Sequence, residues 1–244
     1  MLQALLLNQG TPADLGELFH TSPWETAGFT GTSKWNATQT AASYALTRVT
    51  SPVRSGANAL RVEVRSGDVS NSGERAECAH MFHEGTTTEV FESATRPDKY
   101  LAFSIYIPTG WETPDLNTSG FAWGIVWQLH SGSGSPPIAF SVARTVSGVS
   151  TEGFHIQNRA STSGDYVFSN AAMPRDVWVD FVTRITFSAT TSGSLDCWRR
   201  DVGGAWELVL SQTGIATLDH VNNHYWKHGL YRSPSNHTNI LYLD

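Results

Sequence analysis

"FAWGIVWQLH", residues 121–130, decides the fold. In an extended strand, successive side chains point to opposite faces. Phe121, Trp123, Ile125, Trp127 and Leu129 then share one face, all large and apolar. Ala122, Gly124, Val126, Gln128 and His130 share the other, running from small to polar. The first face belongs to a core, and the second asks for more than solubility.

Other segments carry the same alternation. "ALRVEV" (59–64) sets Leu60, Val62 and Val64 against Arg61 and Glu63. "RAECAHMF" (75–82), "YLAFSIYIP" (100–108), "PIAFSVAR" (137–144), "GFHIQNR" (153–159) and "WVDFVTRITFS" (178–188) follow the pattern. So do "LDCWRR" (195–200), "WELVL" (206–210), "HYWKHGLYR" (224–232) and "NILYLD" (239–244), the last expected to close a sheet. Gly, Ser, Asn and Pro fill the connections. Only "PADLGELF" (12–19) reads as helical, in a loop-rich part over residues 1–45. Short strands with one apolar face each predict an all-β protein, a β-jelly-roll sandwich of two antiparallel sheets with an open concave cleft. Residues 1–244 are expected to form a single domain.

Composition agrees. Of 244 residues, 40% are hydrophobic, with 9 Trp and 11 Phe to fill a core and 21 Gly to serve turns. A net charge of −6 and the lack of any basic run argue against nucleic acid. No stretch is long enough to span a membrane as a helix. "MLQALLLNQG" lacks the basic start and cleavage site of a signal peptide. Cys78 and Cys197 are too few for a disulfide framework or a four-cysteine zinc site, which leaves one bond or two buried thiols. His80, His83 and Glu84 invite a zinc reading, but strand geometry turns the two histidines apart, so no metal site is expected there. Calcium on loop carboxylates stays open as a structural ion, and no cofactor is required.

Three strands share an unusual polar face. Arg75 and Glu77 lie together on one, Gln128 and His130 on the second, and Tyr225, Lys227 and Tyr231 on the third. A weaker fourth carries His155, Gln157 and Arg159. His228 and Arg232 fall on the opposite parity and read as structural. Small residues between long polar ones make a groove for an extended polar ligand.

In this order, R-x-E as "RAE" (75–77), Q-x-H as "QLH" (128–130) and Y-x-K-x-G-x-Y as "YWKHGLY" (225–231) resemble the signatures of β-jelly-roll polysaccharide lyases, the group of alginate, glucuronan and heparin lyases. "RSPSNHTNILYLD" (232–244) is similar to the glucuronan-lyase side. One position departs: alginate lyases of this type read R-x-E-x-R, and the last position here is Ala79. The resemblance therefore implies an acidic polysaccharide substrate, glucuronan first with alginate or another polyuronate as alternatives. It is expected to be acted on outside the cell by a monomer, with endo action because the groove should lie open along the sheet.

Such lyases cleave 4-linked uronates by β-elimination. The carboxylate beside C5 must be neutralised as an enolate develops, for which Arg75 and Gln128 are the candidates. A base then takes the C5 proton and an acid protonates O4. His130 and Tyr231 fit, since imidazole titrates near neutrality and a phenol among cations gives up its proton more readily. Arg75 and Lys227 would supply that field. With the C5 proton and O4 on the same side, as in glucuronate or mannuronate, Tyr231 could serve both tasks. With the two anti, as in guluronate or iduronate, His130 is the base and Tyr231 the acid. Glu77 would orient Arg75, while Lys227, Tyr225, His155, Gln157 and Arg159 would bind substrate.

Two other classes compete. A carbohydrate-binding module could use the same sandwich. A glycoside hydrolase needs two carboxylates facing one cleft, and Glu77 is the only acid on the three polar faces.

Overall fold

The computed structural model describes residues 24–25, 37–80, 98–131, 134–160, 164–167, 173–219 and 224–244. The expected helix at 12–19 lies outside them, as do His83 and Glu84. Fifteen strands are described, and no helix among the described residues is long and apolar enough to cross a membrane.

The first sheet is built from β1 (Ala37–Thr40), β5 (Gly73–His80), β14 (Tyr225–Arg232), β7 (Trp123–His130), β8 (Ile138–Val146), β9 (Val149–Asn158) and β10 (Gly164–Val167) in that spatial order, with β4 (Val69–Ser70) paired to β5. The second runs β13 (Glu207–Ile215), β12 (Gly193–Asp201), β11 (Trp178–Thr186), β6 (Asp98–Tyr106), β15 (Asn239–Leu243), β3 (Ala59–Val64) and β2 (Leu46–Val49). Every pairing within both sheets is antiparallel. The expected sandwich is therefore present. One detail differs: β15 lies between β6 and β3 in the interior of its sheet, paired with β3 along its whole length and with β6 at Tyr242 and Leu243.

Aromatic side chains join the sheets. Phe140 of β8 meets Phe103 of β6 edge-on with centroids 5.0 Å apart and Phe181 of β11 at 4.8 Å. Phe154 of β9 packs on Phe181 at 5.0 Å. Such offset and edge contacts are the favoured aromatic arrangements. Cys78 and Cys197 are separate buried thiols, one on each sheet. Burial pushes the Cys197 thiol up to about 12, so both behave as small apolar residues.

The alternation read from residues 121–130 holds at one end only. Trp127 and Leu129 enter the core, and Gln128 and His130 face outward. Val126, however, joins Trp127 in the core, while Trp123 and Ile125 line the outer groove. The cause is a bulge: the β7–β8 register slips at Ile125, which lies opposite Ser141, and recovers on either side. An extra residue reverses the parity of everything beyond it. Gly124 consequently packs against β8, where an added Cβ would sit 3.3 Å from Val142 and Ala143, and does not floor the groove.

Candidate functional site

Outside the core, the first sheet carries a groove of about 710 Å³. Its lining includes Gln39 of β1, Arg75 of β5, Tyr225, Lys227 and Tyr231 of β14, Gln128 and His130 of β7, and Gln157 of β9, with Arg159 just beyond. Arg75, Arg144, Arg159 and Lys227 give the lining four cationic side chains, and no carboxylate lines it among the described residues. That is unusual in a chain of net charge −6.

Strand register sets the floor in rows. Ala79, Lys227, Gln128, Ala139 and Gln157 lie side by side across five strands. The alanines supply the short positions and the polar residues the long ones. One step along, Tyr225 faces His130, with ring centroids 5.4 Å apart. In the other direction lies a row of Arg75, Tyr231 and Ile125.

Beneath the floor is a hydrogen-bonded network. Glu77, wholly buried, accepts from Arg75 Nη1 at 3.1 Å and from Gln128 Nε2 at 2.5 Å. The amide of Gln128 keeps a second N–H for a ligand. Gln39 Oε1 accepts from Arg75 Nη1 at 3.0 Å and from Lys227 Nζ at 3.2 Å, tying both cations to the edge strand. Arg75 also donates to Ser72 Oγ at 2.9 Å and lies 3.8 Å over the Tyr231 ring. With 3% of its surface exposed and its fork engaged, Arg75 is a fixed positive charge under the groove.

Titration follows from this setting. Burial, then Lys227 and Arg75, lower His130 to about 4, so its ring is neutral near pH 7. Burial lowers Lys227 against the opposing pull of Glu77. Burial, reinforced by Glu77, raises Tyr225, which keeps its phenol proton.

The structure thus brings Arg75, Glu77, Gln128, His130, Tyr225 and Lys227 into one connected floor, with Gln157 and Arg159 on its far side. Tyr231 lines the same groove farther along it. Tyr231 is opposite Ile125, five positions along β7 from His130, or about 16 Å at strand rise. The Tyr231 ring also leans the other way, covering Gly73, where an added Cβ would lie 2.8 Å from Cε2. His155 stands apart: it is 1% exposed beside Ser141 and does not line the groove. His228 packs edge-on against Phe103 at 5.4 Å, and Arg232 pairs with Glu74 at 2.7 Å, both inside the structure.

Sequence reading missed Gln39, Trp123 and Arg144 among the lining residues. Gln39 sits in a four-residue strand with no apolar face to announce it. Trp123 and Arg144, directly opposite each other, were hidden by the bulge. Its only local sign was Gly124 within an aromatic strand.

A family model described as "Polysaccharide lyase" matches residues 27–244. Comparison with curated proteins finds no match. Among solved structures, the endo-β-1,4-glucuronan lyase of the fungus Trichoderma reesei is similar with a TM-score of 0.54 and 13% identity, over 82% of this chain and 84% of that one. The marine alginate lyase of Aplysia kurodai gives a TM-score of 0.54 and 10% identity, over 82% and 85%. At such identities the likeness is one of fold.

Proposed function

Starting from the fact that the chain belongs to the polysaccharide lyase family, we propose that it cleaves a 4-linked polyuronate by β-elimination, acting within the chain, with glucuronan as the first candidate. The observation that carries this reading is a groove with four cationic side chains and no lining carboxylate among the described residues. A polyanion is the ligand such a lining favours. Retaining and inverting hydrolases need a carboxylate pair facing the substrate, and Glu77 is buried and spent on Arg75 and Gln128.

In this reading, the free N–H of Gln128 and the Lys227 ammonium take the uronate carboxylate and hold it as enolate charge grows. Neutral His130 accepts the C5 proton. A bound carboxylate, as a negative neighbour, raises the basicity of His130 from its low resting value. Protein groups supply the neutralisation, so the scheme calls for no cofactor. Glucuronan stands first because Ala79 occupies the place of a second arginine. A groove open along the sheet suits endo action, and a polysaccharide substrate suits work outside the cell.

The test is a panel of acidic polysaccharides followed by the ultraviolet absorbance of the unsaturated uronate that elimination leaves. A lyase generates that chromophore. A binding module retains polymer without it, and that outcome would overturn the proposal.

A further inference from the structure

Resting on the lyase reading, we infer that Asp219 is a positioning residue for the reaction. From beyond the groove lining it ties the ends of β7 and β14 together through Ser131 and His224, and so fixes the row that holds His130.

The case begins with what one carboxylate holds. Ser131 Oγ donates to Asp219 Oδ2 at 2.8 Å, and His224 Nε2 donates to Oδ1 at 2.7 Å. Ser131 directly follows His130, and His224 directly precedes Tyr225. His130 and Tyr225 are themselves cross-strand partners, with ring centroids 5.4 Å apart. Asp219 therefore grips the next residue out on each strand of that pair. The ladder between β7 and β14 stops at this row, and the end of a ladder opens more readily than its middle. A side-chain link takes over where the backbone pairing ends.

Asp219 reaches across from a firm base. Leu218 before it lies in the core. The Thr217 and Leu218 amides both donate to the Ser188 carbonyl, at 2.8 and 3.0 Å, and Thr217 Oγ1 donates to the Thr186 carbonyl at 2.9 Å. From the other sheet, Asn158 Nδ2 of β9 donates to the Ala216 carbonyl at 2.9 Å. The segment leading to Asp219 is thus tied to both sheets, and the link refers the row to the frame of the sandwich. At the far end His224 is 1% exposed, a depth at which a polar ring needs partners.

Charge supports the geometry. Around His130, Lys227, Arg75 and His224 disfavour the imidazolium, and Asp219 opposes them. Asp219 does not line the groove, so it touches no substrate and works through its neighbours.

Full-length protein carrying Asp219→Ala, Asp219→Asn, Asp219→Glu or Ser131→Ala is assayed on whichever of glucuronan, polymannuronate and polyguluronate the wild type cleaves fastest. Rates are taken below each variant's melting transition, with an NMR titration of His130 beside them. Asp219→Ala should lower kcat about 10- to 100-fold by loosening the row. KM should stay within about threefold of wild type, because the lining is untouched. Asp219→Glu, which keeps the charge and the acceptor, should recover part of the lost kcat. Ser131→Ala should cost less than Asp219→Ala, and adding it to Asp219→Ala should cost nothing more, as for two members of one link. In Asp219→Asn the His130 titration should move below its wild-type value of about 4. Wild-type kcat in Asp219→Ala, a loss carried by KM instead, independent losses at 131 and 219, or an unmoved His130 titration in Asp219→Asn overturns the inference and leaves the lyase reading standing. If Asp219→Ala does not fold, Ser131→Ala and Asp219→Asn decide by the same measures. A wild type that yields no unsaturated uronate from any polymer removes the lyase reading and the inference with it.

Discussion

His130 shows how much of this site is made by burial and charge together. Its ring is half-buried between two cations, and both effects disfavour the imidazolium. The expected result is a His130 resonance that titrates near 4 in an NMR pH series, well below the ordinary 6.5. In kcat/KM, which reports the free enzyme, the acid limb should follow that value. A His130 titrating near 6.5 would remove the cationic floor from the argument. Glu77 is the counterpart. It is wholly buried, and two donors depend on it. Removing one member of a buried ionic network strands the rest, so Glu77→Ala should cost about 3–5 kcal/mol in chemical denaturation. Glu77→Gln, which keeps an acceptor, should cost less.

At the scale of strands, the periods are legible in sequence and the interruptions are not. β3 occupies residues 59–64 as read, and β7, β8, β11, β12 and β14 overlap their expected spans, because apolar alternation records a buried face. β1, β2, β4 and β10 escaped notice: they have two to four residues each, too few for a period to emerge. The bulge in β7 is the costlier omission, since it turns Trp123 from core to groove. β14 slips against β7 between His228 and Tyr231 as well. Within it Gly229 has a φ of +148°, and an added Cβ would fall 2.0 Å from the Ala76 carbonyl oxygen. The glycine of Y-x-K-x-G-x-Y is thus a backbone requirement of the strand that presents Tyr225, Lys227 and Tyr231. Gly229→Ala should destabilise by at least ~2 kcal/mol and lower kcat as the rows shift. Wild-type stability and turnover in that variant would show that the close approach is not needed. The motifs named most of the floor, but only the register could say which tyrosine meets the histidine.

Across the whole molecule, the two sheets treat their cations differently. On the second, Asp180 holds Arg200 at 2.6 Å and also Arg54, from the β2–β3 connection, at 2.9 Å. In the groove, Glu77 lies below the surface and the lining itself is cationic. A field of that kind captures a polyanion from solution, and salt screens it with a Debye length of about 10 Å at 0.1 M. Arg144 is partly exposed and Arg159 exposed, so their attraction is the more easily screened, while Arg75 and Lys227 are buried and screened less. KM for polyuronate should therefore climb steeply with ionic strength while kcat changes little. Arg144→Gln combined with Arg159→Gln removes two of the four lining cations. This double variant should raise KM several-fold at low salt and flatten its salt dependence, with the larger effect on long chains that reach both residues. Steady-state rates on polymer and on short oligosaccharides, measured across a salt series, decide the matter. If KM were insensitive to salt, the lining charge would not be what gathers the substrate, and the attraction would have to come from stacking on Trp123 and Tyr231.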